Sequence, residues 1–113
     1  MAVFNFTRQN NEDCKQGSTF EREIVLRDEN NVIIPIDGYT ARMQIRTAPA
    51  APVITATVSA TIASDTVTLL LTAEQTTAIP AWNYYYDLEL DNGTGEVQRL
   101  LEGRFEVTPE VTR

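Results

Sequence analysis

The strongest nucleophile in this chain is a single thiol, Cys14, and no histidine is present to activate it. Ser-His and Cys-His catalysis are thereby excluded, and the usual general base near neutral pH is missing. One cysteine forms no internal disulfide, and without a second cysteine or a histidine it has no neighbour with which to hold a metal. Cys14 lies in the polar stretch 10–17, which reads as a loop carrying an unpaired thiol. Asp87, Glu89 and Glu102 could supply the paired carboxylates of a glycosidase, but alternation sets them on outward positions with Arg99 and Arg104 nearby, as a solvated sheet surface. The run Asp91-Asn92-Gly93-Thr94-Gly95-Glu96 could offer hard oxygens to Ca²⁺; its two carboxylates and one asparagine fall short of the roughly six ligands such a site takes. A hairpin turn accounts for it better. The sequons at Asn5 and Asn92 need a secreted eukaryotic chain and read as accidental. The reading is of a protein that is not an enzyme, with no catalytic residue, metal or cofactor.

Binding chemistry has more to draw on. Trp82, Tyr84, Tyr85 and Tyr86 are clustered, and an aromatic face can stack on the apolar side of a sugar ring. Alternation turns Tyr84 and Tyr86 inward, so a sugar contact would fall to Trp82 and Tyr85, and core packing explains the rest.

The elements that must position these residues are strands. From Tyr84 the chain alternates, with Tyr84, Tyr86, Leu88 and Leu90 on one side and Tyr85, Asp87, Glu89 and Asp91 on the other. Beyond the turn at 91–96, Val97, Leu101, Phe105 and Val107 share a face, which predicts a long hairpin. Upstream, Phe4 and Phe6 suggest a short first strand, 8–17 a polar connection, and 19–27 a second strand whose inward face is interrupted by Arg22. Residues 32–36, broken by Pro35, read as an edge or connecting segment. Residues 39–47 alternate again, with Tyr39, Ala41, Met43 and Ile45 inward and Thr40, Arg42, Gln44 and Arg46 outward. After a proline-rich loop at 48–52, residues 53–63 turn Thr55, Thr57, Ser59 and Thr61 outward, and 66–71 repeat the pattern. Residues 72–80 break it: Thr72 and Gln75 have capping-box spacing, and one short helical turn is predicted there.

About seven strands at turn-separated spacing predict an all-β chain, an immunoglobulin-like antiparallel β-sandwich forming a single domain over residues 1–113. A tyrosine at 84 or 86 is placed to make the corner hydrogen bond of such folds. Hydrophobic and charged fractions of 42% and 22% are ordinary for a soluble domain, and no apolar run approaches the roughly 20 residues that span a bilayer. No secretory signal is visible at the start, so synthesis in a cytoplasm is expected. Sixteen acidic against nine basic residues give a charge of −7, which repels phosphate backbones unless the few basic residues gather in one patch. Neither nucleic-acid binding nor membrane insertion is expected.

Four stretches, Gln16-Gly17-Ser18-Thr19-Phe20, Gly38-Tyr39-Thr40-Ala41-Arg42-Met43-Gln44-Ile45-Arg46, Tyr84-Tyr85-Tyr86-Asp87-Leu88-Glu89-Leu90 and Val97-Gln98-Arg99-Leu100-Leu101-Glu102-Gly103 running on to Pro109-Glu110-Val111-Thr112, span nearly the whole chain in order. Together they resemble the small immunoglobulin-like structural proteins of tailed bacteriophages and prophages, and are similar to the N-terminal domain of upper baseplate proteins. The resemblance implies a virion protein of the tail, baseplate or head decoration, made in the bacterial cytoplasm and working by assembly with other virion proteins and copies of itself. Its expected contact surfaces are the outward rows Thr40, Arg42, Gln44, Arg46 and Thr55, Thr57, Ser59, Thr61, with the free sheet edges. The alternative is a carbohydrate-binding or adhesin module using Trp82 and Tyr85.

Overall fold

The computed structural model describes residues 8–111; the strand suggested by Phe4 and Phe6 lies outside them. Eight strand segments and one short helix follow in order: β1 (Arg8–Gln9), β2 (Glu12–Lys15), β3 (Phe20–Val25), β4 (Thr40–Arg46), β5 (Ala56–Ala63), β6 (Thr66–Leu71), α1 (Ala73–Thr77), β7 (Trp82–Asp91) and β8 (Val97–Thr108). They form one sheet in the order β1-β8-β7-β4-β5-β6-β3, with β2 also pairing β8. Because β1 and β2 lie end to end along the same partner, the sheet has seven strand positions, curled until it nearly closes into a barrel.

The immunoglobulin-like sandwich is therefore corrected. A sandwich needs two sheets that end and restart opposite each other, whereas here β5 carries the sheet around the corner. Its Ala56–Val58 stretch pairs β4, and its Ser59–Ala63 stretch pairs β6. The second departure is at the other end of the chain order, where β1 and β2 run parallel to β8, with Arg8 beside Leu101 and Cys14 beside Val107. An all-antiparallel sandwich holds no such pair. Alternating strands at regular spacing read the same way in a sandwich and in a barrel, so the pattern alone does not separate them.

The stretch read as a polar connection holds these two strands, and Cys14 is a core residue at 3% exposure, not a loop thiol. Burial raises its pKa, with Arg22 acting to lower it and Asp13 to raise it. Cys14→Ser is consequently expected to cost about 1–3 kcal/mol, because a hydroxyl replaces an apolar sulfhydryl in a site without a good partner. Denaturant titration would check this, and the native thiol should react with Ellman's reagent only as fast as the chain opens. A parent thiol that reacts at once, or a variant as stable as the parent, would return Cys14 to the surface.

The core fills the barrel from the strands β2 to β8. Phe105, Met43, Ile45, Leu88 and Val67 are wholly enclosed, and Phe105 meets Phe20 edge-on at 5.0 Å between ring centroids. On β8 a bulge removes one expected inward residue, Val97, and adds another, Leu100. Leu88 pairs Leu101 but Glu89 pairs Arg99, which leaves Leu100 as the extra residue, buried beside Leu101. Past the bulge the parity reverses, so Val97 points outward at 43% exposure. Ile36, within the long β3–β4 connection, is buried, and its N–H donates to Asp65 Oδ1 at 2.9 Å. Asp65 and Ser64 both take positive φ, as a two-residue hairpin between β5 and β6 requires.

The gap between the edge strands β2 and β3 is bridged by the side chain that interrupted the apolar pattern. Arg22 lies over the Phe20 ring at 4.4 Å, pairs Glu12 at 2.9 Å and donates to the Asp13 carbonyl at 3.3 Å. Below the seam, α1 is capped as predicted: Thr72 Oγ1 accepts the Gln75 N–H at 3.2 Å, and Gln75 Oε1 accepts the Thr72 N–H at 2.8 Å. Thr76, fully buried, ties this helix to the β2–β3 turn by accepting the Gly17 N–H at 3.0 Å and donating to the Ser18 carbonyl at 2.8 Å.

Candidate functional site

Outward-facing residues on three adjacent strands meet in one hollow. The register places Arg46 opposite Tyr85 and Tyr85 opposite Arg104; Gln44 opposite Asp87 and Asp87 opposite Glu102; Arg42 opposite Glu89 and Glu89 opposite Arg99. The result is a grid of three rows across β4, β7 and β8, set by backbone pairing. Curvature of the sheet and the β4–β5 loop, with Pro49 at its wall, turn this grid into a concavity of about 710 Å³. A barrel's outer surface is ordinarily convex, and a concave one is the shape in which ligands and partner side chains are held.

Charge is unevenly distributed over the grid. Arg42, Arg46, Arg99 and Arg104 are four of the chain's nine basic residues, set against only three of its sixteen acidic ones, Asp87, Glu89 and Glu102. The hollow is positive by one charge in a protein that carries −7. The lower two rows are internally paired: Arg42 meets Glu89 at 2.8 Å, and Arg99 reaches both Asp87 and Glu102 at 3.3 Å. In the upper row Arg46 donates to neutral acceptors, the Ala51 carbonyl at 2.8 Å and Gln44 Oε1 at 3.1 Å, while Arg104 lies over the Tyr85 ring at 5.7 Å.

Asp87 sits where these influences cross. Burial raises its pKa first, and Glu89 and Glu102 raise it further, while Arg99 and Arg46 act to lower it. A carboxyl that holds its proton more tightly when folded lowers stability as pH rises from the ordinary carboxylate range through its raised value. Asp87→Asn removes that titration, so the fall in stability between acidic and neutral pH should flatten in the variant. Chemical denaturation over that range, on parent and variant side by side, measures the difference; identical slopes would show that Asp87 titrates as a free carboxylate.

The outward rows expected from sequence fall as follows. Arg42, Gln44 and Arg46 line the hollow, and Thr40 continues their strand to its end beside Asp91. Thr57 stands next to Gln44 on β5, and Thr55 is half-buried just before that strand, its N–H donating to the Ile45 carbonyl at 2.8 Å. Ser59 and Thr61 are exposed on the part of β5 that has turned the corner to pair β6. The eight residues thus do not form one surface. Trp82 is 64% exposed at the start of β7 and, with Tyr85, lines a shallower hollow of about 540 Å³ beside Glu106 and Pro109. Tyr85 belongs to both hollows. Tyr84 does donate to a backbone carbonyl upstream, that of Pro80 at 2.6 Å, though within a barrel.

Sequence reasoning set Arg99 and Arg104 beside the carboxylates but did not bring them together with the Arg42 row. The missing signal was register, since two outward rows join only once β4 and β8 are known to flank β7. Among the described residues no group of three or more Cys, Asp or Glu side chains is arranged to hold a metal ion. Comparison with known families finds no model that matches the chain, and no curated protein shows significant sequence similarity to it.

Proposed function

We propose that this protein is a structural component of a phage or prophage virion, in the tail, baseplate or head decoration, and that it works by protein–protein assembly through the outer face of β4, β7 and β8. The observation that carries the reading is the hollow itself. Arginine and tyrosine, the side chains on which protein interfaces most often depend, are gathered at its upper row on rigid strands. The virion context is supported by the resemblance that the four stretches of sequence bear to phage structural proteins. Two measurements test it. Mass spectrometry of purified particles should find the chain in fixed stoichiometry with the other virion proteins. A Tyr85→Ala variant, folded by circular dichroism, should bind its tail or head neighbours at least about tenfold more weakly. A chain absent from particles, and one that binds no virion protein, would remove the reading.

A second reading, a carbohydrate-binding module, is favoured by one observation: Trp82 and Tyr85 line the same shallow hollow at the barrel's end. Saturable sugar binding on a glycan array, lost in Tyr85→Ala, would decide for it.

A further inference from the structure

The row Arg46, Tyr85, Arg104 differs from the rest of the grid in holding no carboxylate of its own. Arg42 and Arg99 each hold carboxylates, yet among the described residues neither Arg46 nor Arg104 makes an ion pair. Their neighbours are a carbonyl, an amide and an aromatic ring. The two strands that carry them lie on either side of β7, so their backbones are two strand spacings apart, about 10 Å. That is close to the screening length at physiological salt, and a single anionic group above Tyr85 would be attracted by both guanidiniums at once. Tyr85 supplies a ring between them, half-buried and hence held in place.

We infer that the hollow recognises an acidic segment of a partner protein, whose carboxylates meet Arg46 and Arg104 across Tyr85. The inference deepens the assembly reading and rests on it. Guanidinium forks match carboxylate oxygens in bidentate geometry, and both arginines project from strands whose backbones are already paired. Arg46 is further fixed by its bonds to Ala51 and Gln44, which hold the β4–β5 loop as a wall. The protein as a whole is acidic and would repel an acidic partner at long range. Attraction is thus confined to this hollow, which gives the contact an orientation.

The probe is a fluorescein-labelled glutamate-rich peptide with one aromatic residue, alongside the same peptide with lysine in place of every glutamate. Anisotropy should show the full chain binding the acidic peptide, more weakly as salt is raised. Arg46→Gln and Arg104→Gln should each weaken it by at least about tenfold, as for loss of a charged interfacial partner. Both variants keep hydrogen-bonding capacity at the site, and circular dichroism confirms the fold. Arg27→Gln, which removes the same charge from an exposed position outside the hollow, should retain binding. If the lysine peptide binds instead and Asp87→Asn abolishes that, the acidic-partner inference is overturned while assembly through this face stands. If inorganic phosphate competes as well as the peptide at equal charge, the site is a general anion site and the inference is also overturned. If neither peptide binds and the chain fails to join virion proteins, both readings fall together.

Discussion

Replacing Phe105 with alanine is expected to cost about 3–5 kcal/mol, a large part of the stability of a small domain. Phe105 has no exposed surface and sits where three strands converge, edge-on to Phe20 on β3 and to Tyr86 on β7 at 6.2 Å. The barrel's two flanks therefore rest on the same ring. Removing it leaves a void between strands whose backbones are tied into a continuous sheet, so little collapse into the space can offset the loss. Urea titration of the parent and variant, with the slope unchanged and the midpoint lowered, is the expected outcome. A loss below about 1 kcal/mol would mean that this ring is not enclosed as described.

Gly103→Ala is expected to be nearly as damaging, at about 3 kcal/mol, for a different reason. The chain between β1 and β2 crosses directly over Gly103, and a Cβ there would fall inside the contact distance of the Asn10 carbonyl oxygen, a backbone atom that cannot swing aside. That same carbonyl accepts the Tyr86 hydroxyl at 2.7 Å, while the Asn10 N–H donates to the Glu102 carbonyl at 2.9 Å. The methyl group would push β1 and β2 off β8 and break both bonds. Hydrogen exchange should consequently quicken at Asn10 and at Gln16, whose N–H bonds the Thr108 carbonyl at 3.0 Å, before it does so on β4. Uniform quickening across all strands would show instead that the two edge segments do not come away separately.

What could be read from the chain, and what could not, follows from the range over which each signal acts. Met43 and Ile45 inward against Arg42, Gln44 and Arg46 outward is a local, period-two pattern, and the structure keeps it. The β7 alternation from Tyr84 to Leu90 survives for the same reason. Residues 8–17 gave no such pattern, because Glu12, Asp13 and Lys15 are polar on strands at the sheet's edge and only Cys14 enters the core. Parallel pairing with β8 leaves no mark that alternation can detect. The bulge at Leu100 hid Val97 on the wrong face, since two adjacent leucines can be read in either parity. Arg22, whose place on an apolar face looked like an interruption, bridges the two sheet edges. The rows that line the hollow were correctly placed outward, yet their meeting required knowing that β4 and β8 flank β7.

The parallel alliance of the first and last strands also sets a schedule for folding. Bonds such as Asn10 to Glu102 and Gln16 to Thr108 join positions at opposite ends of the described chain. On a ribosome, the early segment around Cys14 emerges long before its partner has been made, and it must wait unpaired until residues 97–108 clear the exit tunnel. Closing so long a loop is slow, and an unpaired strand edge is open to the wrong partners meanwhile. The charges on Glu12, Asp13 and Lys15 suit that interval, because a charged segment resists pairing with its neighbours on other nascent chains. In this protein the polar character of the edge is as much a property of the waiting chain as of the finished barrel.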